Sequence, residues 1–280
     1  MSSERLFVRT AKSTRIWPVP DAATSAFFEA EPIAALRACV RKVRWGHESI
    51  ETPVDELIVP DGALHLIVVL ADGGARPYGL AVGASTAPSV VNLSGNVRHV
   101  ELELEAGGSL ALFGVPARSL EGQAVPLDDL WGDEAVVLGQ RLAEAKSDPD
   151  RVRVAQEMIA ARAGHHTAPP IVRGALEHLR RVAGQIQVRQ MADRLGVSER
   201  RLEQLFQQYV GLTPKASCRV ARFQRVIDRM ASSKRRASWA ELALEAGFVD
   251  QSHLANDIRA LTGLSPTRLV ARGGFGFLQD

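Results

Sequence analysis

Apolar residues follow two rhythms along this chain. Between residues 50 and 115 they come in short β-branched runs, such as Leu64-His65-Leu66-Ile67-Val68-Val69-Leu70, separated by Asp61-Gly62, Asp72-Gly73-Gly74 and Gly107-Gly108. Runs of that length between turn residues predict strands. Val97 to Glu105 alternates, setting Val100, Leu102 and Leu104 against Glu101 and Glu103. That pattern predicts a half-buried strand with its three apolar residues inward. The segment as a whole reads as a small β-sandwich or barrel. The period then lengthens and predicts helices over Leu127–Trp131, Glu134–Lys146 and Asp150–Arg162. The last two meet at Asp148-Pro149, where Pro149 suits a first helical turn.

Residues 163–170 (Ala-Gly-His-His-Thr-Ala-Pro-Pro) carry no periodicity and read as a linker. Beyond them the pattern predicts helices over Ile171–Val182, Gln187–Leu195, Ser198–Tyr209, Pro214–Ala231, Ser238–Ala246 and Gln251–Thr262. The expected fold is therefore α+β: a β-rich sandwich or barrel domain with trailing helices over residues 1–163, a linker at 164–170, an all-α domain with two helix-turn-helix units over 171–272, and a tail at 273–280.

The decisive feature is an internal repeat. Met191-Ala192-Asp193-Arg194-Leu195-Gly196 has a later counterpart in Leu242-Ala243-Leu244-Glu245-Ala246-Gly247. With the spacing lengthened by one position, Leu202, Phe206 and Tyr209 match Leu254, Ile258 and Leu261, and Gly211-Leu212-Thr213-Pro214 matches Gly263-Leu264-Ser265-Pro266. Each copy makes sense as a helix-turn-helix. A small Ala sits where two helices cross, a Gly ends the first helix, and Ser198 or Asp250 caps the second. One face of the second helix is apolar (Leu202, Leu205 and Phe206; Leu254, Ile258 and Leu261). In the first unit the opposite face offers Glu199, Arg200, Arg201, Glu203, Gln204, Gln207 and Gln208. Arg and Gln read guanine and adenine edges bidentately in the major groove. A Pro214–Ala231 helix would be roughly 27 Å long, enough to hold two reading helices about one DNA turn apart.

Charge points the same way. The net charge is +2, but from Ile171 onward 18 Lys+Arg face 10 Asp+Glu, a net of +8, so the part before Ile171 carries −6. A basic half joined to an acidic half suits a nucleic-acid binder with a regulatory domain. Hydrophobic residues make up 46% of the chain, enough for a core, yet no apolar run approaches the roughly 18 residues of a membrane span. Met1 to Arg15 holds no signal-like apolar stretch. Cys39 and Cys218 lie far apart, so a cytoplasmic protein without a disulfide framework is expected.

Other chemistry finds little support. His47, His65 and His99 lack metal-ligand spacing and read as scattered structural histidines, so no metal is expected. There is no nucleophile elbow, phosphate loop or Cys-x-x-Cys, so neither enzyme activity nor a cofactor is expected. Asp128-Asp129 and Asp133-Glu134 fit helix starts. Trp131 reads as core, and Cys39 and Cys218 as buried thiols rather than redox sensors. Ser232 to Ala237 is a basic loop, equally suited to phosphate contact or plain solvation.

Ala243-Leu244-Glu245-Ala246-Gly247-Phe248-Val249-Asp250-Gln251-Ser252-His253-Leu254, continuing to Leu261-Thr262-Gly263-Leu264-Ser265-Pro266, resembles the signature of the AraC/XylS family of transcription regulators. The resemblance extends over about Ile171 to Leu269. It implies that Arg200, Arg201, Glu203 and Gln204 face DNA from the first unit, with Gln208 on the same polar face, and that Gln251, Ser252, His253 and Asn256 face it from the second. Asn256 stands where the family usually has Arg, and Ile258 where it usually has Phe, which implies a smaller contribution from the second unit. Glu56 to Gly62, Gly114-Val115-Pro116 and Leu127 to Gly132 resemble a sensor-type domain of one AraC-like subgroup. The implied partners are double-stranded DNA, RNA polymerase, a small-molecule effector and a second copy of the chain, with no membrane. The alternatives for the N-terminal domain are a protein-interaction module and an enzyme fused to the DNA-binding part.

Overall fold

A computed structural model describes residues 3–9, 14–17, 25–71, 76–232, 237–273 and 278–279. The basic stretch 233–236 and the Asp72-Gly73-Gly74 turn lie outside the described residues, as do parts of the N-terminal segment and of the 273–280 tail.

The N-terminal strands are β1 (Ser3–Arg9), β2 (Thr14–Trp17), β3 (Ser25–Ala30), β4 (Val40–Ile58), β5 (His65–Ala71), β6 (Tyr78–Val82), β7 (Ser89–Leu104) and β8 (Ala124–Pro126). They join in one sheet of order β2-β1-β4-β7-β5-β6-β8, with β3 also on β4. Pairing is antiparallel throughout except between β1 and β4. The long strands β4 and β7 form the spine, and irregularities at Val40/Lys42 and Ile50/Val54 bend it.

Register decides the core. Val43 pairs with Leu102, which also pairs with Leu66, and Val100 pairs with Val68. Residues opposite one another share a face, and these five side chains are fully buried. Helices α1 (Gly108–Phe113), α2 (Leu127–Trp131), α3 (Asp133–Glu144) and α4 (Asp148–Arg162) follow. Helix α3 buries Ala135, Leu138, Gly139 and Leu142, and α4 buries Val152, Ala155, Gln156 and Ile159. Both sets run i, i+3, i+4, i+7, the stripe that seats a helix on a sheet. Ser147 caps α4 by accepting from the Asp150 amide at 3.3 Å, with a Pro in the first turn.

The expectation of a half-buried β7 needs correction. Glu101 is 1% exposed and Glu103 6%, so over Val100–Leu104 both faces are covered, while the first half of the strand is exposed. Arg44, opposite Glu101 in register, makes this tolerable. Its guanidinium donates to Glu103 at 2.7 Å and lies 3.6 Å from Glu101. His65 stands 2.7 Å from Glu101 and 2.9 Å from Asp61, and Arg41 lies 2.8 Å from Glu103. Buried carboxylates persist where cations neutralise them.

The C-terminal half holds α5 (Pro170–Arg181), α6 (Val188–Arg194), α7 (Glu199–Tyr209), α8 (Pro214–Ser232), a short β9 (Ala237–Ser238), α9 (Trp239–Ala246), α10 (Gln251–Thr262), α11 (Pro266–Gly273) and β10 (Leu278–Gln279), which pairs with β9. The repeat analysis anticipated α5 to α10 within a residue or so. It did not anticipate α11, α1 or the β9–β10 pair, whose short segments carry too little periodicity.

The two halves pack together. Leu212, Val220 and Phe223 belong to the same buried cluster as Leu64, Leu104 and Leu120. Gln224 donates to the Pro60 carbonyl at 2.5 Å, Arg272 to the Asp55 carbonyl at 3.2 Å, and the Gly107 amide to the Tyr209 carbonyl at 3.0 Å. The irregular residues 163–169 are tied down as well: the Gly164 amide donates to Ala111, and Ala168 is buried.

Candidate nucleic-acid interface

The two repeats fold alike down to single hydrogen bonds. Helix α6 buries Met191 and Ala192, and α9 buries Leu242 and Ala243. The Val197 amide donates to the Ala192 carbonyl at 3.1 Å, and in the second copy the Phe248 amide donates to the Ala243 carbonyl at 2.9 Å. Such bonds close a helix when the residue between is left-handed. That residue is Gly196 at φ 65° in one unit and Gly247 at φ 79° in the other.

Each second helix is capped as the sequence implies. Ser198 accepts from the Arg201 amide at 3.2 Å, and Asp250 from the His253 amide at 2.7 Å. Leu202, Leu205, Phe206, Leu254, Ile258 and Leu261 are buried. On the outer faces Arg200, Arg201, Glu203 and Gln204 are exposed on α7, and Gln251, Ser252 and Asn256 on α10. Two residues of the expected set sit differently. Gln208 is half-buried, near the end of α7, where the Tyr209 carbonyl meets the N-terminal domain. His253 is half-buried too, its ring edge-on to Phe248 at 5.2 Å. That ring therefore braces the second helix as well as bordering its outer face.

Helix α8 spaces the units. Its 19 residues span about 28 Å. Arg219 reaches Asp257 of α10 at 2.7 Å, and Arg229 reaches Glu245 of α9 at 2.8 Å. Arg222 donates to the Gly184 carbonyl at 3.3 Å and stacks over Phe248 at 5.3 Å. The same helix therefore grips both units.

Three residues escaped the sequence reading. Arg259 is exposed on α10, three positions after Asn256 and seven after Ser252, so helical spacing continues their stripe. Its signal was available in that spacing. Leu244 and Val249 are 79% and 86% exposed. Val249 immediately precedes the α10 cap, and an apolar side chain there can meet a thymine methyl group. Its signal was a large apolar residue placed off the buried stripe.

The other candidates are accounted for within the fold. Cys39 and Cys218 are buried, and burial pushes the Cys39 thiol up to about 11 and raises that of Cys218. Trp131 is buried and donates to the Leu112 carbonyl at 2.8 Å. His47 is exposed, 3.7 Å from Asp148, and His99 packs on Phe27. Among the described residues no group of three or more His, Cys, Asp or Glu could hold a metal ion, and no helix is long and apolar enough to cross a membrane.

Residues 191–272 match the family described as a helix-turn-helix domain, and residues 28–126 match a domain of unknown function (DUF6597). No curated protein matches the chain. Among solved structures, it is similar to an AraC-type transcriptional regulator from Chromobacterium violaceum, at 23% identity and a TM-score of 0.34, over 38% of this chain and 93% of that one. It is similar to the C-terminal domain of AraT, a response regulator from Geobacillus stearothermophilus, at 18% identity and a TM-score of 0.35, over 40% of this chain and 91% of that one. It is also similar to ToxT from Vibrio cholerae, at 8% identity and a TM-score of 0.42, over 89% of this chain and 98% of that one. The chain thus carries, at residues 191–272 of its C-terminal half, a stretch that matches a helix-turn-helix domain, joined to a β-rich stretch, residues 28–126, that matches a domain of unknown function.

Proposed function

We propose that the chain is a sequence-specific transcription regulator that places α7 and α10 in two successive major grooves, while its N-terminal domain answers a small molecule or brings two copies together. The observation that carries this reading is the doubled helix with one face fully buried, a capped N-terminus and an outer face of Arg, Gln, Ser and Asn. In this reading Arg200, Arg201, Glu203 and Gln204 read the first groove, with Gln208 at its edge. Gln251, Ser252, His253 and Asn256 read the second. Arg259 stands one turn beyond Asn256 and supplies the phosphate or base contact that Asn256 is too short to make. The amides at the capped helix starts face phosphate oxygens favourably.

The same reading divides the chain into a regulatory domain (1–163), a linker (164–170) and a DNA-binding domain (171–272). It places the protein in the cytoplasm with RNA polymerase as a partner and assigns it no catalysis. Selection from a random duplex library with the purified chain tests it. Arg201→Ala and Gln251→Ala should each cost roughly 1–3 kcal/mol on the selected duplex. If neither changes affinity, the assignment of the reading helices is wrong.

A further inference from the structure

A cavity of 580 Å³ lies where the N-terminal sheet, α5, α8 and α9 meet. That volume falls within the range of about 300–1,000 Å³ typical of small-molecule sites. Much of its wall is aliphatic, including Leu64 and Leu104 from the sheet side, Leu179 from α5 and Val220 from α8.

Two polar atoms on this wall lack partners. Ser217 is 7% exposed, and its Oγ is buried with no hydrogen bond. Gln224, two helical turns further along the same face of α8, donates through Nε2 to the Pro60 carbonyl at 2.5 Å. That bond fixes the amide orientation and leaves Oε1 buried without a donor. A buried polar atom with no partner carries the full desolvation cost, so a ligand that satisfies it is favoured.

The charges on the wall decide the ligand's charge. Arg41 is held by Glu103 at 2.8 Å and Glu105 at 3.3 Å, and Arg180 by Glu105 at 3.5 Å. Arg229 is held by Glu245 at 2.8 Å, and Asp61 by His65 at 2.9 Å. Arg225 is exposed to water, where solvent screens it. An anion entering here would lose part of its hydration and find the partly exposed guanidiniums of Arg41, Arg180 and Arg229 already engaged by carboxylates. A neutral group with one donor and one acceptor loses far less and meets Gln224 Oε1 and Ser217 Oγ directly.

We infer that this interdomain cavity binds a neutral amphiphile, with an amide or hydroxyl head held by Ser217 and Gln224 of α8 and an apolar body between the sheet and α5. The occupant would bridge the N-terminal domain and the helix that spaces the two reading units. Only its regulatory meaning rests on the proposed function; the binding site itself does not.

Four probes that share one chain length and differ only in the head isolate the claim: octanamide, 1-octanol, octanoate and octylamine. Titrated calorimetrically into the full-length chain, octanamide and octanol should bind, and both charged probes should bind at least about tenfold more weakly. Ser217→Ala should weaken octanamide about fivefold while the melting temperature of the ligand-free chain holds or rises, since an unpaired buried hydroxyl is removed. Ala221→Leu, which fills the cavity from α8, should abolish binding while the chain still melts cooperatively. Failure of octanamide and octanol to bind, octanoate binding as tightly as octanamide, or undiminished binding to both variants would each overturn the inference. Measured on the same sample, binding to the selected duplex separates the two readings. DNA binding without octanamide binding sinks the cavity alone. Octanamide binding without DNA binding keeps the cavity and sinks the regulator.

Discussion

Gln185, in the turn that leads into the first helix-turn-helix, donates through its side-chain amide to the backbone carbonyl of Glu245 in the second, at 3.0 Å. Gly247 lies against the same side chain, and a Cβ there would fall 2.5 Å from the Gln185 Cγ. The two units are therefore joined directly as well as through α8. Gln185→Ala should destabilise the fold by only about 1 kcal/mol, since the bond is solvent-exposed. Its larger effect should appear on DNA: affinity for a duplex carrying both half-sites should fall more than affinity for a single half-site. Equal losses on both duplexes would show that the link does not set the spacing. Gly247→Ala should cost more than the glutamine change, because it adds a left-handed alanine to the clash.

The small residues at the helix crossings give a second test. Ala192 and Ala243 are fully buried at matching places in the repeat. Ala243→Leu forces a branched side chain into a packed joint and should cost about 1–3 kcal/mol. Urea unfolding measures the loss. A neutral result would mean that the crossing is not close-packed.

Arg44 is the hub of the buried ion network. Its guanidinium is 4% exposed, and it faces Glu101 and Glu103, themselves nearly inaccessible. Arg44→Met keeps much of the volume but leaves Glu101 with His65 alone and Glu103 with Arg41 alone, so a loss of up to about 3–5 kcal/mol is expected. The triple change Arg44→Met, Glu101→Gln, Glu103→Gln should recover a large part of it. Denaturant midpoints of the two variants decide the matter.

His65 makes stability depend on pH. Burial alone would push its imidazole down, but Asp61 at 2.9 Å and Glu101 at 2.7 Å outweigh that and raise its pKa to about 9. A raised folded-state value means the protonated form stabilises the fold. The contribution is complete below the unfolded-state value near 6.5 and fades as pH climbs through about 9. Unfolding free energy should therefore fall between about pH 6.5 and pH 9, by on the order of 3 kcal/mol. His65→Gln should flatten that part of the profile. If the variant kept the slope, another group would be responsible.

In the proposed reading, Arg259 and Arg201 make different kinds of contact, phosphate and base. Arg259→Ala should lower affinity about equally for all duplexes and reduce the salt slope by about 1. Arg201→Ala should instead relax preference at one base position. A loss of selectivity in the Arg259 variant would make it a base reader.

What the chain's own residues determined is the local grammar of the two helix-turn-helix units. Ala192 and Ala243, Gly196 and Gly247, and Ser198 and Asp250 each act within a turn or two of their own position. Crossing, termination and capping are short-range effects, so the two copies declare themselves without a fold. The apolar stripe of α10 and the inward set Val100, Leu102 and Leu104 were legible for the same reason.

Only the tertiary structure decided what lies over the polar residues. Glu101 and Glu103 read as a solvent face, because alternation says which side chains point together and not whether something covers them. The covering comes from Arg44 on β4 and from His65 on β5, both brought to β7 by strand register. The half-burial of Gln208 and the unpartnered atoms of Ser217 and Gln224 belong to the same class. Each depends on the N-terminal domain docking against α7 and α8, a long-range contact with no period of its own.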